Sequence, residues 1–206
     1  MIRVVGSMSS VKLLFLIGFF ACILLAAASC GRPGVKPVEE KRSPRQVHYA
    51  AELRERAEKG DADAQALLGF NYYKGNSVDK DYEQAHKWFL KAAGQGNSFA
   101  RLGLGTMYSA GLGVERDDAA AAYWYGGAAE EGHVGCQYRL GVMYHEGRGV
   151  EQCRIQAYKW LYLASVRGVT KAGPLRDSLE EKMAAEDVAE AKRLAREWMA
   201  QHPNRQ

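Results

Sequence analysis

Ser77 and Lys80 are the first residues to consider for covalent chemistry, because a lysine three positions after a serine can activate that serine as a nucleophile. Enzymes with this Ser-x-x-Lys element also carry Ser-Asp-Asn and Lys-Thr-Gly elements, and neither tripeptide occurs in this chain. Ser77 also falls in a predicted turn, at a position where related segments further along the chain have glycine. The pattern therefore favours a turn, and no catalytic residue is predicted.

Histidine is the side chain best suited to bind a metal ion or to exchange protons near neutral pH. The histidines of this chain are scattered without the spacing typical of metal ligands, at His48, His86, His133, His145 and His202. His86 falls on a predicted helix, where we expect it to face solvent. The sequence therefore predicts no metal site and no cofactor.

The composition narrows the class of partner. The 206 residues carry a net charge of +4, 25% of them are charged, and 47% are hydrophobic, which is enough for a packed core. Nucleic-acid-binding domains concentrate lysine and arginine much more strongly than this. We therefore predict no nucleic-acid partner.

Residues 1–29 have the features of a signal peptide. Arg3 and Lys12 supply positive charge, and the uncharged apolar run over residues 13–28 is about as long as the hydrophobic region of a signal peptide and short for a membrane span. The segment ends in small residues directly before Cys30, and this arrangement resembles the lipobox of bacterial lipoproteins. An ordinary cleaved signal peptide and an uncleaved anchor are the alternatives.

The lipobox resemblance implies a location. It implies cleavage before Cys30 and a diacylglycerol group on that thiol. Gly31 follows instead of the aspartate that often retains such proteins at the inner membrane, so the resemblance favours a protein in the periplasm, anchored to the outer membrane. Residues 30–46 are rich in proline and charge and are predicted to form a solvated tether.

A period of 36 residues runs through the middle of the chain without a gap. Glycines mark the unit boundaries, and inside each unit further residues recur in phase. The boundary residues are Gly60, Gly96, Gly132 and Gly168, and the in-phase sets include Gly69, Gly105 and Gly141 as well as Trp88, Trp124 and Trp160. Such a period indicates a solenoid of repeated supersecondary units.

Each unit is predicted to form two helices. In the first unit, apolar residues at helical spacing predict helices over about residues 62–73 and 82–94, with Trp88 in the buried stripe of the second. Gly75 suits a left-handed C-cap, and the N-cap position is held in turn by Asp61, Asn97 and His133. A glycine inside a helix, such as Gly69, costs roughly 1 kcal/mol of helix propensity. Its recurrence therefore predicts a close contact between helices.

Cys136 and Cys153 both fall in the third unit. Cys136 stands near the start of the first helix and Cys153 at the start of the second, so an antiparallel pair separates them by roughly 14 Å. A disulfide requires Cα atoms within about 7 Å. We therefore expect two free thiols, with Cys136 in the core and Cys153 partly exposed.

The repeated residues resemble the Sel1-like repeat, a relative of the tetratricopeptide repeat. The resemblance implies an all-α fold, namely a right-handed α-solenoid of antiparallel helix pairs. The three units occupy residues 60–95, 96–131 and 132–167. We predict an N-terminal capping helix over residues 47–59 and C-terminal capping helices within residues 168–206.

The first helix of each unit has a second face, opposite its core stripe, whose residues do not repeat between units. This face is more apolar than a solvated helix face, which indicates a partner surface; packing against neighbouring helices is the alternative. Ala66 shares this face, and the candidate partner-binding residues on it are Phe70, Tyr73, Leu102, Thr106, Tyr138, Val142 and His145.

The sequence therefore favours a non-enzymatic scaffold that binds a protein or peptide partner and is attached to the membrane through its N-terminal lipid. The resemblance also supplies a second hypothesis, because some Sel1-like proteins are described as β-lactamases or penicillin-binding proteins. A β-lactamase or peptidoglycan-related hydrolase would have Ser77 as its candidate nucleophile.

Overall fold

The computed structural model of the chain describes residues 43–203, which form nine α-helices and no β-strand. Helices α2 to α7 form three antiparallel pairs, and each helix from α1 to α7 packs on the next one along the chain. The predicted all-α solenoid is confirmed. In chain order the helices are α1 (Pro44–Glu58), α2 (Ala62–Lys74), α3 (Tyr82–Gly94), α4 (Ser98–Ala110), α5 (Asp118–Glu130), α6 (Val134–Glu146), α7 (Arg154–Val166), α8 (Ala172–Glu180) and α9 (Ala185–Gln201).

The ends of the first helices follow from their capping residues. Each predicted N-cap side chain accepts a hydrogen bond from the backbone N–H three residues further on, at 2.9 to 3.3 Å, in Asp61, Asn97 and His133. The same three helices end at glycines with left-handed φ angles of +80°, +65° and +68°, which are Gly75, Gly111 and Gly147. The predicted caps are confirmed.

A second left-handed residue follows two positions after each of these C-caps. Gly113 and Gly149 have φ angles of +69° and +70°, and Ser77 takes this position in the first repeat with φ +60°. A Cβ on Gly149 would lie 2.0 Å from the carbonyl oxygen of Asp118, at the start of α5. Glycine therefore lets the turn of the third repeat approach the backbone of the second.

Helix α1 begins earlier than the sequence predicts. It starts at Pro44 rather than at residue 47, so the last residues assigned to the tether belong to the helix. Ser43 and Gln46 form a capping box, in which each side chain bonds the backbone N–H of the other residue. Proline at the first helical position has a φ angle already suited to the helix, which is why Pro44 starts the helix and does not break it.

The glycines inside the first helices receive side chains from their partner helices, as predicted. A Cβ on Gly69 would lie 2.8 Å from the ring of Phe89 on α3. The equivalent distances in the next repeats are 2.5 and 2.8 Å, for the pairs Gly105 with Tyr125 and Gly141 with Leu161. The glycine and its bulky partner are therefore one packing unit that recurs with the repeat.

The tryptophans of the second helices differ in burial. Trp88 and Trp124 are half-buried, which corrects the prediction of a fully buried stripe, whereas Trp160 is buried. The reason is α9, whose Trp198 packs on Trp160 with ring centroids 6.4 Å apart. Trp198 also donates a hydrogen bond from Nε1 to Glu130 at 2.9 Å. Helices α8 and α9 both pack on α7, so the C-terminal segment covers the last repeat.

Two buried glutamines each tie the first helix of a repeat to the helix that precedes it, which is the capping helix α1 for Gln65 and α5 of the second repeat for Gln137. Gln65 on α2 and Gln137 on α6 each donate from the side-chain amide to a backbone carbonyl oxygen in the last turn of the preceding helix. The acceptors are Ala57 at 3.0 Å and Ala129 at 3.2 Å. Carbonyl groups at a helix C-terminus lack a partner within the helix, and these bonds satisfy two of them.

Candidate functional site

The predicted binding residues of α2 and α4 lie together. They surround an apolar cleft of about 130 Å³ between the two helices, which we call the α2/α4 cleft. Its lining includes four of the predicted residues: Phe70, Tyr73, Leu102 and Thr106. Four further residues that the sequence did not single out complete the lining: Lys74, Phe89, Phe99 and Gly103.

Phe99 is the most accessible aromatic side chain of the α2/α4 cleft, with 40% of its surface exposed. Its ring centroid lies 5.6 Å from that of Phe70 and 6.5 Å from that of Phe89, and the planes are inclined by 60° and 74°. Such inclined contacts are favourable for aromatic pairs. The three rings therefore form one ordered apolar surface, partly open to solvent.

Gly103 makes room for the α2/α4 cleft. A Cβ at this position would lie 2.7 Å from the ring of Phe89, which packs directly against the glycine backbone. The equivalent positions of the other two repeats hold Leu67 and Arg139, which carry long side chains. The sequence feature that could have indicated this cleft is therefore a glycine that does not recur between units and that stands where the other units have large residues.

Lys74 is the charged residue at the edge of the α2/α4 cleft. Its ammonium group lies 5.4 Å from the ring centroid of Tyr73 and 5.9 Å from that of Phe70, within the range of cation–π contacts. Within residues 43–203, no carboxylate pairs with it. Thr106 has its hydroxyl bonded to the Leu102 carbonyl oxygen, at 2.8 Å. The charge available to a ligand at this cleft is therefore positive.

A second cleft, of about 120 Å³, lies between α4 and α6. We call it the α4/α6 cleft, and its lining includes the predicted residues Tyr138 and Val142. Arg139 also lines it, with its guanidinium carbon 5.5 Å from the ring centroid of Tyr125. The predicted face thus contains two neighbouring clefts: the α2/α4 cleft has apolar walls and one basic residue, and the α4/α6 cleft has walls of mixed polarity that include Arg139 and Arg148.

Two residues of the predicted face lie elsewhere. His145 is half-buried and lines neither cleft, and its Nδ1 atom is buried without a hydrogen-bond partner among the described residues. Ala66 is buried in the core between α2 and the following helices. Phe70 and Tyr73 also pack against this core while they line the cleft. These two residues therefore fit both interpretations of the face, as a partner surface and as packing against neighbouring helices.

The Ser-x-x-Lys element lies in the turn between α2 and α3. Ser77 occupies the left-handed position that glycine holds in the other repeats. The Lys80 ammonium lies 4.7 Å from the ring centroid of Tyr82, in a cation–π contact. Apart from these side chains, the turn has the left-handed position of the equivalent turns of the solenoid, and it lends no support to a hydrolase.

The prediction that His86 faces solvent is wrong. His86 is half-buried between α3 and α4, and its Nε2 lies 3.1 Å from the hydroxyl oxygen of Tyr108. Burial lowers the pKa of His86, and likewise that of the N-cap His133. Among the described residues, no group of three or more His, Cys, Asp or Glu side chains is placed to hold a metal ion.

Both cysteines of the third repeat are free thiols, as predicted. Cys136 is buried, and burial raises the pKa of its thiol to about 12, so it remains protonated at neutral pH. Cys153 is half-buried at the N-cap of α7. Cys136 therefore serves as a small apolar core residue.

The predicted signal peptide and the lipidation site at Cys30 lie outside the described residues. Within residues 43–203, no helix is long and apolar enough to cross a membrane.

Comparisons with known proteins identify the repeats. The Sel1 repeat model matches residues 62–97, 98–133 and 134–168, about half of the chain. The chain is 46% identical over 41 residues to the secretory immunoglobulin A-binding protein EsiB of Escherichia coli, a match that spans 20% of this chain and 8% of that relative.

Two solved structures are similar. One is a protective antigen of uropathogenic Escherichia coli strains that displays an SLR fold, with a TM-score of 0.67 and 35% identity over 73% of this chain and 32% of that one. The other is a Sel1 repeat protein from Oxalobacter formigenes, with a TM-score of 0.59 and 34% identity over 64% of this chain and 98% of that one. With three matched repeats and the same fold as these relatives, the chain belongs to the Sel1 repeat family.

Proposed function

We propose that this protein is a non-enzymatic scaffold that binds a protein or peptide partner on the face formed by α2, α4 and α6. The observation that carries the proposal is the α2/α4 cleft, where half-exposed aromatic side chains from two repeats meet. Apolar surface that remains open in a folded protein commonly marks an interaction site. Walls of this composition suit an apolar amino-acid side chain better than a phosphate.

The similar proteins support the same class of function. Sel1 repeats belong to a class of helical repeats that typically mediate interactions between proteins, and one relative with a matching segment is named for binding secretory immunoglobulin A. That match covers 8% of the relative, so the partner of this chain is a separate question from the partner of the relative. What carries over to the proposal is the class of function.

We propose further that the scaffold is held at the outer membrane, on its periplasmic side, by a lipid on Cys30. The proposal rests on the apolar run over residues 13–28 and on the small residues that precede Cys30. Metabolic labelling with a fatty acid in a bacterial host tests it. We expect label on the wild type and none on Cys30→Ser, and an unlabelled wild type would refute the lipid anchor.

Capture of partners from cells tests the binding face. After crosslinking and mass spectrometry with the full chain, we expect Phe70→Ala combined with Tyr138→Ala to lose the main crosslinked partner, because these residues line the two clefts. The matched control is Leu90→Ala combined with Tyr123→Ala, which removes exposed apolar side chains (39% and 72% exposed) from the second helices.

The control pair should retain the partner. Equal capture by the wild type and by the Phe70 and Tyr138 variant would contradict the proposal, as would loss of the partner only in the control pair. Thermal unfolding of all the variants distinguishes loss of the binding surface from loss of the fold.

A further inference from the structure

We propose that the α2/α4 cleft selects an acidic peptide segment, which packs one large apolar side chain against the rings of Phe70, Phe89 and Phe99 and places a carboxylate beside Lys74. The inference rests on the proposed function and adds the chemistry of the partner to it. Three features of the cleft support the inference: its volume, its charge, and Gly103, a glycine that the other two repeats do not have at this position.

The volume of the cleft fits one side chain. At about 130 Å³ it is close to that of engineered protein cavities, about 150 Å³, which hold one benzene molecule. Four aromatic rings line it, and they can contact a Phe, Leu, Ile or Met side chain. A partner therefore docks here through one apolar anchor and continues along the exposed surfaces of the first helices.

The charge of the face selects an acidic neighbour for that anchor. No aspartate or glutamate is among the described residues that line either cleft, whereas Lys74, Arg139 and Arg148 are. Arg148 already has a partner, since its Nε lies 3.0 Å from Glu146. Within residues 43–203, neither Lys74 nor Arg139 forms an ion pair, and each charge lies over an aromatic ring, so both remain able to pair with carboxylates of a ligand.

The origin of the cleft makes it a site of its own. Gly103 stands where the equivalent residues are Leu67 and Arg139, and long side chains there would occupy the space beside Phe89. The α2/α4 cleft therefore differs from the α4/α6 cleft at the next step of the same face, where Arg139 holds the position of Gly103. The glycine leaves the ring of Phe89 as an apolar wall at this step alone of the two.

Panning randomised peptides displayed on phage against the purified full chain tests the inference. We expect the enriched peptides to carry an aromatic or aliphatic residue next to Asp or Glu. In fluorescence anisotropy with the enriched peptides, Lys74→Glu should weaken binding roughly fivefold or more, because it replaces an attraction with a repulsion. Phe99→Ala should weaken it roughly tenfold.

Lys91→Glu is the matched control. Lys91 is another exposed lysine over an aromatic ring, 4.1 Å from the centroid of Trp88, but it lies on the second helix of the repeat. The same charge reversal there should leave binding unchanged. If Lys91→Glu weakened binding as much as Lys74→Glu, the peptides would be responding to the net charge of the chain and not to Lys74. That result would overturn the inference.

The outcomes separate the inference from the proposed function. If the enriched peptides are neutral or basic and their binding is weakened by Phe99→Ala, the selection of acidic peptides is overturned but the binding face is not. The same holds if acidic peptides are enriched and Lys74→Glu does not weaken their binding. Enriched peptides that ignore Phe99→Ala overturn the site itself. If no peptides are enriched on the full chain, the result counts against peptide binding altogether.

Discussion

Replacing Gly105 with alanine should destabilise the protein, although alanine is the better helix former. The substitution gains about 1 kcal/mol of helix propensity. The new Cβ would lie 2.5 and 2.6 Å from Cε1 and Cδ1 of Tyr125, whereas ordinary van der Waals contact begins at 3.4 Å. Overpacking in a core costs typically 1–3 kcal/mol.

Tyr125 has little freedom to move away from such a contact. Its ring is 2% exposed, and its hydroxyl donates to Thr106 at 3.2 Å. We therefore expect an overpacking cost near the upper end, about 3 kcal/mol, and a net loss of about 2 kcal/mol in the free energy of unfolding. Urea unfolding followed by circular dichroism measures it.

Gly126 provides the matched control. It also lies inside a helix, α5, but a Cβ there would have no neighbour within 4 Å. Gly126→Ala should therefore stabilise the protein by about 1 kcal/mol. In a Tyr125→Ala background, Gly105→Ala should become stabilising as well, because the ring that it clashes with is gone. Destabilisation by Gly105→Ala of the same size in both backgrounds would refute the steric explanation.

Three further substitutions test other parts of the solenoid. Asn71 is buried, and its side-chain amide nitrogen has no hydrogen-bond partner among the described residues. The other repeats have Met107 and Met143 at this position, so Asn71→Met should raise the free energy of unfolding by about 1 kcal/mol in urea titrations. Cys153 makes no capping hydrogen bond at the start of α7, whereas Asp81 and Asp117 cap the equivalent helices of the other repeats. Cys153→Asp should therefore raise the melting temperature and increase the free energy of unfolding by about 1 kcal/mol. Burial lowers the pKa of His133 below its ordinary 6.5, so the unfolded chain takes up a proton more readily there and stability falls as the pH drops through that value. His133→Asn, which keeps a capping side chain as in Asn97, should make that fall shallower between about pH 7.5 and about pH 5 in urea titrations, and an unchanged slope would exclude His133 as its source.

Much of the fold could be predicted because the repeat multiplies each local signal. The left-handed C-cap at Gly75, the N-cap at Asp61 and the helix over Tyr82–Gly94 are local preferences that recur, and the structure has them where the sequence predicts them. The close packing at Gly69 was also predictable, because a mid-helix glycine that recurs at a fixed phase needs a structural reason.

The parts that escaped prediction depend on residues that do not repeat. The sequence shows that Gly103 is a glycine outside the repeat phases, but it does not show that Phe89 from the neighbouring helix packs on it and forms a wall of the α2/α4 cleft. His86 looks exposed by helical spacing alone, but the hydroxyl of Tyr108 on the next helix reaches it. At both positions the surroundings of the residue depend on a side chain from another helix, which helical spacing alone does not show.

The bond from Trp198 to Glu130 joins α9 to the second repeat, past the third. It spans 68 positions, whereas the next longest side-chain hydrogen bond given for the described residues spans 35. Contacts that close a long loop form more slowly than contacts between sequence neighbours. We therefore expect the helix pairs of the repeats to form before α9 packs on them, and Trp160 to stay open to solvent until Trp198 covers it.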